Sequence, residues 1–213
     1  MDEVKNQYTI ERGTHYSTGK KRQPLLFPLA VLLAGILWMA FFTVPHGLMP
    51  VVFTVSLIIF AFYYHRESRD VMNIRMRVRF QNGCLYHMDS PKDSDVNKLF
   101  GVGFGNHLKY SGRFGWNSIE GGIHIYGYVR NNGAIRWDRI MSCPQNESVD
   151  MMLHITDEHY CFTVYRDNGE IHRLNMPRIR NRLYDLLPYR LYPYFGGTSV
   201  APQDMTIFME EVG

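Results

Sequence analysis

Ile74-Arg-Met-Arg-Val-Arg-Phe80 decides how the larger part of this chain is read. Ile74, Met76, Val78 and Phe80 fall on one side and Arg75, Arg77 and Arg79 on the other. A period of two held over a whole segment marks a strand half buried in a sheet. Gln81-Asn82-Gly83 follows as a turn, and Cys84 to Met88 is expected to return as the partner strand. Ile123 to Val129 alternates again, and Asn131-Asn132-Gly133 leads into Ala134 to Trp137. Val149, Met151, Leu153 and Ile155 share one face of a further strand. Tyr160 to Tyr165, the turn Asp167-Asn168-Gly169 and Glu170 to Leu174 then make another hairpin. About seven strands joined by short turns predict an antiparallel meander closed into a sandwich or small barrel. After Pro177 the spacing changes. Ile179, Leu183, Leu186 and Leu187 predict an amphipathic helix that Pro188 ends or kinks, and Met205 to Met209 adds a last short strand.

Towards the N-terminus the sequence changes character. The chain has 213 residues, 46% hydrophobic and 20% charged, with a formal net charge of +3, yet Gln23 to His65 contains no Asp, Glu, Lys or Arg. Leu25 to Val44 is about 20 residues long, enough to cross the hydrocarbon core of a bilayer. A short link with Pro45, Gly47 and Pro50 follows, and Leu48 to Tyr64 is apolar again. The reading is a transmembrane helical hairpin with spans 25–44 and 48–64, Trp38, Tyr63 and Tyr64 lying where interfacial aromatics sit. Lys20, Lys21 and Arg22 precede the first span and Arg66, Arg69, Arg75, Arg77 and Arg79 follow the second, while the link is uncharged. That asymmetry predicts a multi-pass membrane protein with both termini cytoplasmic.

The expected plan is therefore a basic cytoplasmic N-terminal segment (1–24), the hairpin (25–64) and a cytoplasmic mainly-β domain (65–213), an α+β chain. No ionisable side chain lies within the spans, which argues against a transport pathway built from them alone. Ala30, Ala34 and Gly35 leave room for the spans to pack closely or for the chain to form homo-oligomers.

Acidic and basic residues nearly balance from residue 65 onward, so a nucleic-acid partner is not expected. Cys84, Cys143 and Cys161 are odd in number and widely spaced, and predict free thiols rather than a disulfide framework.

The search for chemistry turns up three places. Gly101-Val-Gly-Phe-Gly105 lacks the spacing and flanks of a phosphate-binding fingerprint. With Phe100, Phe104, Tyr110, Phe114 and Trp116 it reads as a glycine-rich loop. Its aromatics either pack on their own domain or form a surface that recognises a partner. His154, His159 and His172 are the candidates for a metal edge, if the fold brings them together. Arg75, Arg77 and Arg79 form either a solvated strand face or a set of contacts to anionic lipid headgroups. No nucleophile elbow or comparable catalytic signature is present. The expectation is a protein that is not an enzyme and holds no cofactor or metal.

About seven strands followed by one helix resemble the pleckstrin-homology-like architecture, with Ile135-Arg-Trp-Asp-Arg-Ile140 ahead of a hairpin and the match running from Asn131 to Leu174. The plan is also similar to that of two-span bacterial proteins associated with type VI secretion that act as immunity proteins. The matching steps are Ile135 to Asp138 and Arg166 to Gly169. That resemblance implies a binding protein anchored in a bacterial inner membrane, in contact with the lipid bilayer, that neutralises a toxic effector. The alternatives are a structural or regulatory subunit of a membrane complex and a membrane-bound metal-dependent enzyme.

Overall fold

The structure is a computed structural model and describes residues 6–18, 54, 55, 58, 71–88, 95–197 and 199–212. The chain divides into two units, residues 22–71 and the remainder. Of the first unit Thr54, Val55, Ile58 and Val71 are described, and all four are helical.

The second unit contains twelve strands among the described residues. They are β1 (Gln7–Ile10), β2 (Ser17–Thr18), β3 (Asn73–Phe80), β4 (Asn97–Phe104), β5 (Tyr110–Ile119), β6 (Gly122–Asn131), β7 (Ala134–Cys143), β8 (Ser148–Ile155), β9 (His159–Arg166), β10 (Ile171–Pro177), β11 (Pro188–Leu191) and β12 (Met205–Glu211). They form two antiparallel sheets, one of seven strands in the order β10-β9-β8-β3-β12-β1-β2 and one of five in the order β11-β4-β5-β6-β7.

The alternation of Ile74 to Phe80 does what its period requires. All four apolar residues are buried on the inner face, and the arginines lie on the outer face. The inner faces of the two sheets meet through large aromatics. Phe80 of β3 lies 5.2 Å from Trp116 of β5, and Phe114 of β5 meets Phe162 of β9 edge-on at 5.1 Å. The core is thus a layer of side chains between sheets, the usual way for antiparallel sheets to bury one face each.

Several expectations are corrected here. The fold is a β-sandwich of seven and five strands, not a pleckstrin-homology-like domain with a closing helix. The helix expected after Pro177 is a single 3-10 turn at Tyr184–Leu186. Asn181 dictates this, because its Oδ1 accepts the backbone N–H groups of Leu183 and Tyr184 and closes a tight turn instead of feeding a helix. Pro188 then opens β11 by pairing with Phe104. Ile179, Leu183, Leu186 and Leu187 carry helical spacing but stay exposed, Leu183 at 70%. Cys84 to Met88 is not the partner of β3, whose neighbours are β8 and β12. Part of the segment expected to be a separate basic leader, residues 7–18, supplies β1 and β2.

The two apolar spans, apart from Thr54, Val55 and Ile58, lie outside the described residues. Among the described residues no helix is long and apolar enough to cross a membrane. The assignment as a multi-pass inner-membrane protein, and the α+β class built on its helical hairpin, are set aside on that finding.

Candidate functional site

The face of the five-stranded sheet turned away from the core gathers charge and aromatic rings. On β5 the inward positions are Gly112, Phe114 and Trp116, so Ser111, Arg113, Gly115 and Asn117 point outward. Register then sets the rows. Arg113 stands opposite Tyr128 of β6, and Tyr128 opposite Trp137 of β7. One row further along, Lys98 of β4 faces Gly115, Gly115 faces Tyr126, and Tyr126 faces Arg139.

Arg113 lies at the bottom of this face, 8% exposed. Its stem rests over Gly101, where an added Cβ would come within 2.9 Å of the Arg113 Cγ. Nη2 donates to the Tyr192 carbonyl at 2.7 Å, and Nε has no hydrogen-bond partner among the described residues. No carboxylate among the described residues forms an ion pair with it. Burial pushes its pKa down to about 10, a sign that the cation is poorly compensated.

Lys98 is a second buried cation on the same face. Its Nζ donates to the Gly196 carbonyl at 2.8 Å and sits 4.9 Å from the centre of the Tyr128 ring. Burial lowers its pKa to about 8, with the charge of Arg113 acting in the same direction and that of Asp95 opposing.

The far side of Arg113 carries a histidine–tyrosine pair. His107, in the loop between β4 and β5, and Tyr189 of β11 both crowd Gly103, where an added Cβ would meet the His107 Cβ at 2.7 Å and the Tyr189 ring at 2.9 Å. The His107 Nδ1 and the Tyr189 hydroxyl are 2.8 Å apart, and the same hydroxyl accepts the His107 backbone N–H at 3.1 Å. Burial, then Arg113 and Arg130, lower the His107 pKa, while burial raises that of Tyr189. The imidazole is thereby held neutral, with Nδ1 able to accept the Tyr189 proton.

The residues singled out from sequence are placed differently. Phe100, Phe104, Tyr110, Phe114 and Trp116 belong to β4 and β5, and all are buried. Their supposed loop is the centre of a sheet, and its glycines seat Arg113 and the His107–Tyr189 pair. Arg75 and Arg77 lie on the outer face of the other sheet, where Asp150 accepts from both, at 2.9 and 2.8 Å. Arg75 also stands over the Tyr165 ring and Arg79 over that of Phe208. The fold does not join the three histidines. His154 pairs with Cys161 on the outer face, which His159 shares, whereas His172 pairs with Val164, whose side chain points inward. No group of three metal-ligating residues occurs among the described residues. Cys84, Cys143 and Cys161 are free thiols.

Lys98 and Arg113 escaped the sequence reading. The available signal was a single cation inside a short segment rich in glycine and aromatic residues, Lys98 to Gly103 and Ser111 to Trp116.

No protein-family model matches the chain, and no curated protein matches it. Solved structures do resemble it. An alginate lyase from Klebsiella pneumoniae shares 8% identity over 64% of this chain and 56% of its own length, with a TM-score of 0.49. The alginate lyase AlyC3 shares 11% over 66% of this chain and 62% of its own length, at 0.46. CG-16, a homodimeric agglutinin from chicken liver, shares 11% over 66% of this chain and 86% of its own length, at 0.31. The chain spans less than two thirds of the length of either lyase. The likeness concerns the layering of strands, and the activities in those names belong to those proteins. The expectation of a non-enzyme was drawn only from the lack of a recognisable signature, and it is withdrawn.

Proposed function

We propose that this chain binds an anionic ligand on the outer face of the five-stranded sheet. The observation that carries the reading is Arg113, a buried guanidinium with an unpartnered Nε and no carboxylate paired to it among the described residues. A buried charge left uncompensated is costly, and an oxyanion arriving from solvent removes that cost. Lys98 adds a second cation. The 48% exposed Trp137 continues the same row and offers a ring face about 10 Å from Arg113, two strand spacings away. The ligand is therefore a carboxylate, sulfate or phosphate ester that also carries a ring.

Thermal titration with a uronic-acid oligosaccharide, a sulfated oligosaccharide, a nucleotide and inorganic phosphate tests this, with a neutral glucan as control. An anion at a hundredfold excess over its Kd should stabilise the fold by about 2.7 kcal/mol, and the neutral glucan not at all. Arg113→Met should be no less stable than the parent chain without ligand, because it removes a buried cation, and should lose the anion-dependent shift. A shift that survives in Arg113→Met, or that the neutral glucan reproduces, sinks the reading.

The pH dependence has a definite sign. Lys98 has a folded pKa below its ordinary value, so its protonated form burdens the fold below about pH 8, and that burden lifts as pH rises towards the ordinary lysine range. A bound anion favours the protonated amine. Anion affinity should therefore fall as pH climbs through about 8, and Lys98→Met should flatten the profile between about pH 7 and 9. Isothermal titration at a series of pH values reads both.

A second reading, turnover of the bound anion by proton transfer, is favoured by one observation, the 2.8 Å His107–Tyr189 pair beside Arg113. Conversion of any of those anionic probes that Tyr189→Phe abolishes while binding persists would support it. The immunity reading stands as a proposal without a residue contact behind it, and the geometry favours the anion site.

A further inference from the structure

One edge of the five-stranded sheet is β7, and its first half is exposed. Ile135 is 52% and Trp137 48% exposed on the outer face. On the other face Arg136 and Asp138 pair with each other at 3.0 Å, their side chains 63% and 42% exposed.

The turn that opens β7 fixes which backbone groups face outward. Asn132 and Gly133 have φ of 52° and 88°, the positive pair of a type I′ hairpin turn. The closing pair Asn131–Ala134 is then hydrogen-bonded, and the pairs alternate from there. Ile135, Trp137 and Arg139 stand at the non-bonded positions against β6, so their N–H and C=O groups point to the open edge. Among the described residues these groups have no backbone partner in another element. An edge with free backbone groups and exposed apolar side chains is a template for another strand.

We propose that β7 pairs with β7 of a second copy of this chain, antiparallel about a two-fold axis at Trp137. In that register Trp137 lies opposite Trp137 of the second copy, Ile135 opposite Arg139, and Arg136 opposite Asp138. Each pair formed by residues 135, 137 and 139 exchanges two backbone hydrogen bonds, and each Arg136 gains a second carboxylate across the interface.

Other two-fold registers are worse for a simple electrostatic reason. An axis at residue 136 sets two arginines directly opposite, one at 138 sets two aspartates opposite, and one at 139 sets two guanidiniums opposite. Like charges so placed destabilise a strand pair. An axis at residue 135 leaves Asp138 beyond the strand, against the turn. Charge complementarity thus selects Trp137 as the centre.

This pairing does not depend on the anion site, though it would extend it. The row Arg113, Tyr128, Trp137 would run on into the same row of the second copy, with the two arginines about 24 Å apart at five strand spacings.

Sedimentation equilibrium of the full chain tests the proposal. The parent chain should form dimers. Arg136→Asp and Asp138→Arg should each weaken dimerisation about tenfold or more, because each places like charges across the axis. The swap Arg136→Asp with Asp138→Arg restores opposite pairs and should return the dimer to within a few-fold of the parent. Thermal unfolding of the three variants, at exposed positions, checks that the sandwich is intact. A monomeric parent chain, a dimer indifferent to either single variant, or a swap no better than the singles would overturn it.

Discussion

Asp185→Ala is expected to destabilise the sandwich by about 3–5 kcal/mol, the range for removing one partner of a buried ion pair. Arg178 explains the size. Its side chain is 2% exposed, Nη2 donates to Asp185 at 2.6 Å, Nη1 donates to the Thr156 carbonyl at 2.9 Å, and the guanidinium stacks 4.3 Å above the Phe104 ring. Without Asp185 that cation stays buried with only a carbonyl and ring faces for company. Arg180, which also donates to Asp185, is exposed enough to find water instead.

The double variant Arg178→Met with Asp185→Leu should lose much less, since apolar replacement of both partners leaves no buried charge. Urea unfolding monitored by far-UV circular dichroism reads both values. A loss below about 1 kcal/mol for Asp185→Ala, the ordinary worth of an exposed pair, would mean that the pair is not buried in solution.

Trp116→Ala should be of similar size, about 3–5 kcal/mol, the range for truncating a large core aromatic. Trp116 is 0% exposed and lies between Phe80 of the facing sheet at 5.2 Å and Tyr86 at 5.7 Å. Its truncation opens a cavity at the contact between sheets, where relaxation of one sheet is resisted by the other. Trp116→Phe is the informative control. The indole Nε1 is buried without a hydrogen-bond partner among the described residues, so its removal offsets part of the lost packing. The phenylalanine variant should therefore cost well under half as much. Equal losses in the two variants would mean that the ring volume is not what holds the layers together.

Period-two segments were readable from residues alone. Ile74 to Phe80, Ile123 to Val129 and Val149 to Ile155 are strands, and Asn132-Gly133 turns one strand into the next. Alternation survives in the sequence because one face of each strand meets the core and the other does not.

Strands buried on both faces leave no such mark. Every residue of β4 from Asn97 to Phe104 is buried, and its glycines and aromatics imitate a loop. The run from Ile179 to Leu187 misleads in the opposite sense. Its apolar spacing is helical, but the Asn181 side chain and the Arg178–Asp185 pair hold it in a tight turn.

What the sequence determined by itself was local, namely the strand period, the hairpin turns at Asn132-Gly133 and Asn168-Gly169 and the absence of a disulfide framework, each set by near neighbours and the choice of side chain. The tertiary structure decided how the strands divide between two sheets and which of them lie at the edges. It also decided that Lys98, His107, Arg113 and Tyr189 share one face. Those residues are up to 91 positions apart in the chain, and only strand register brings them to one face. Register depends on which pairing buries most apolar surface across the whole sandwich, and no single segment carries that information.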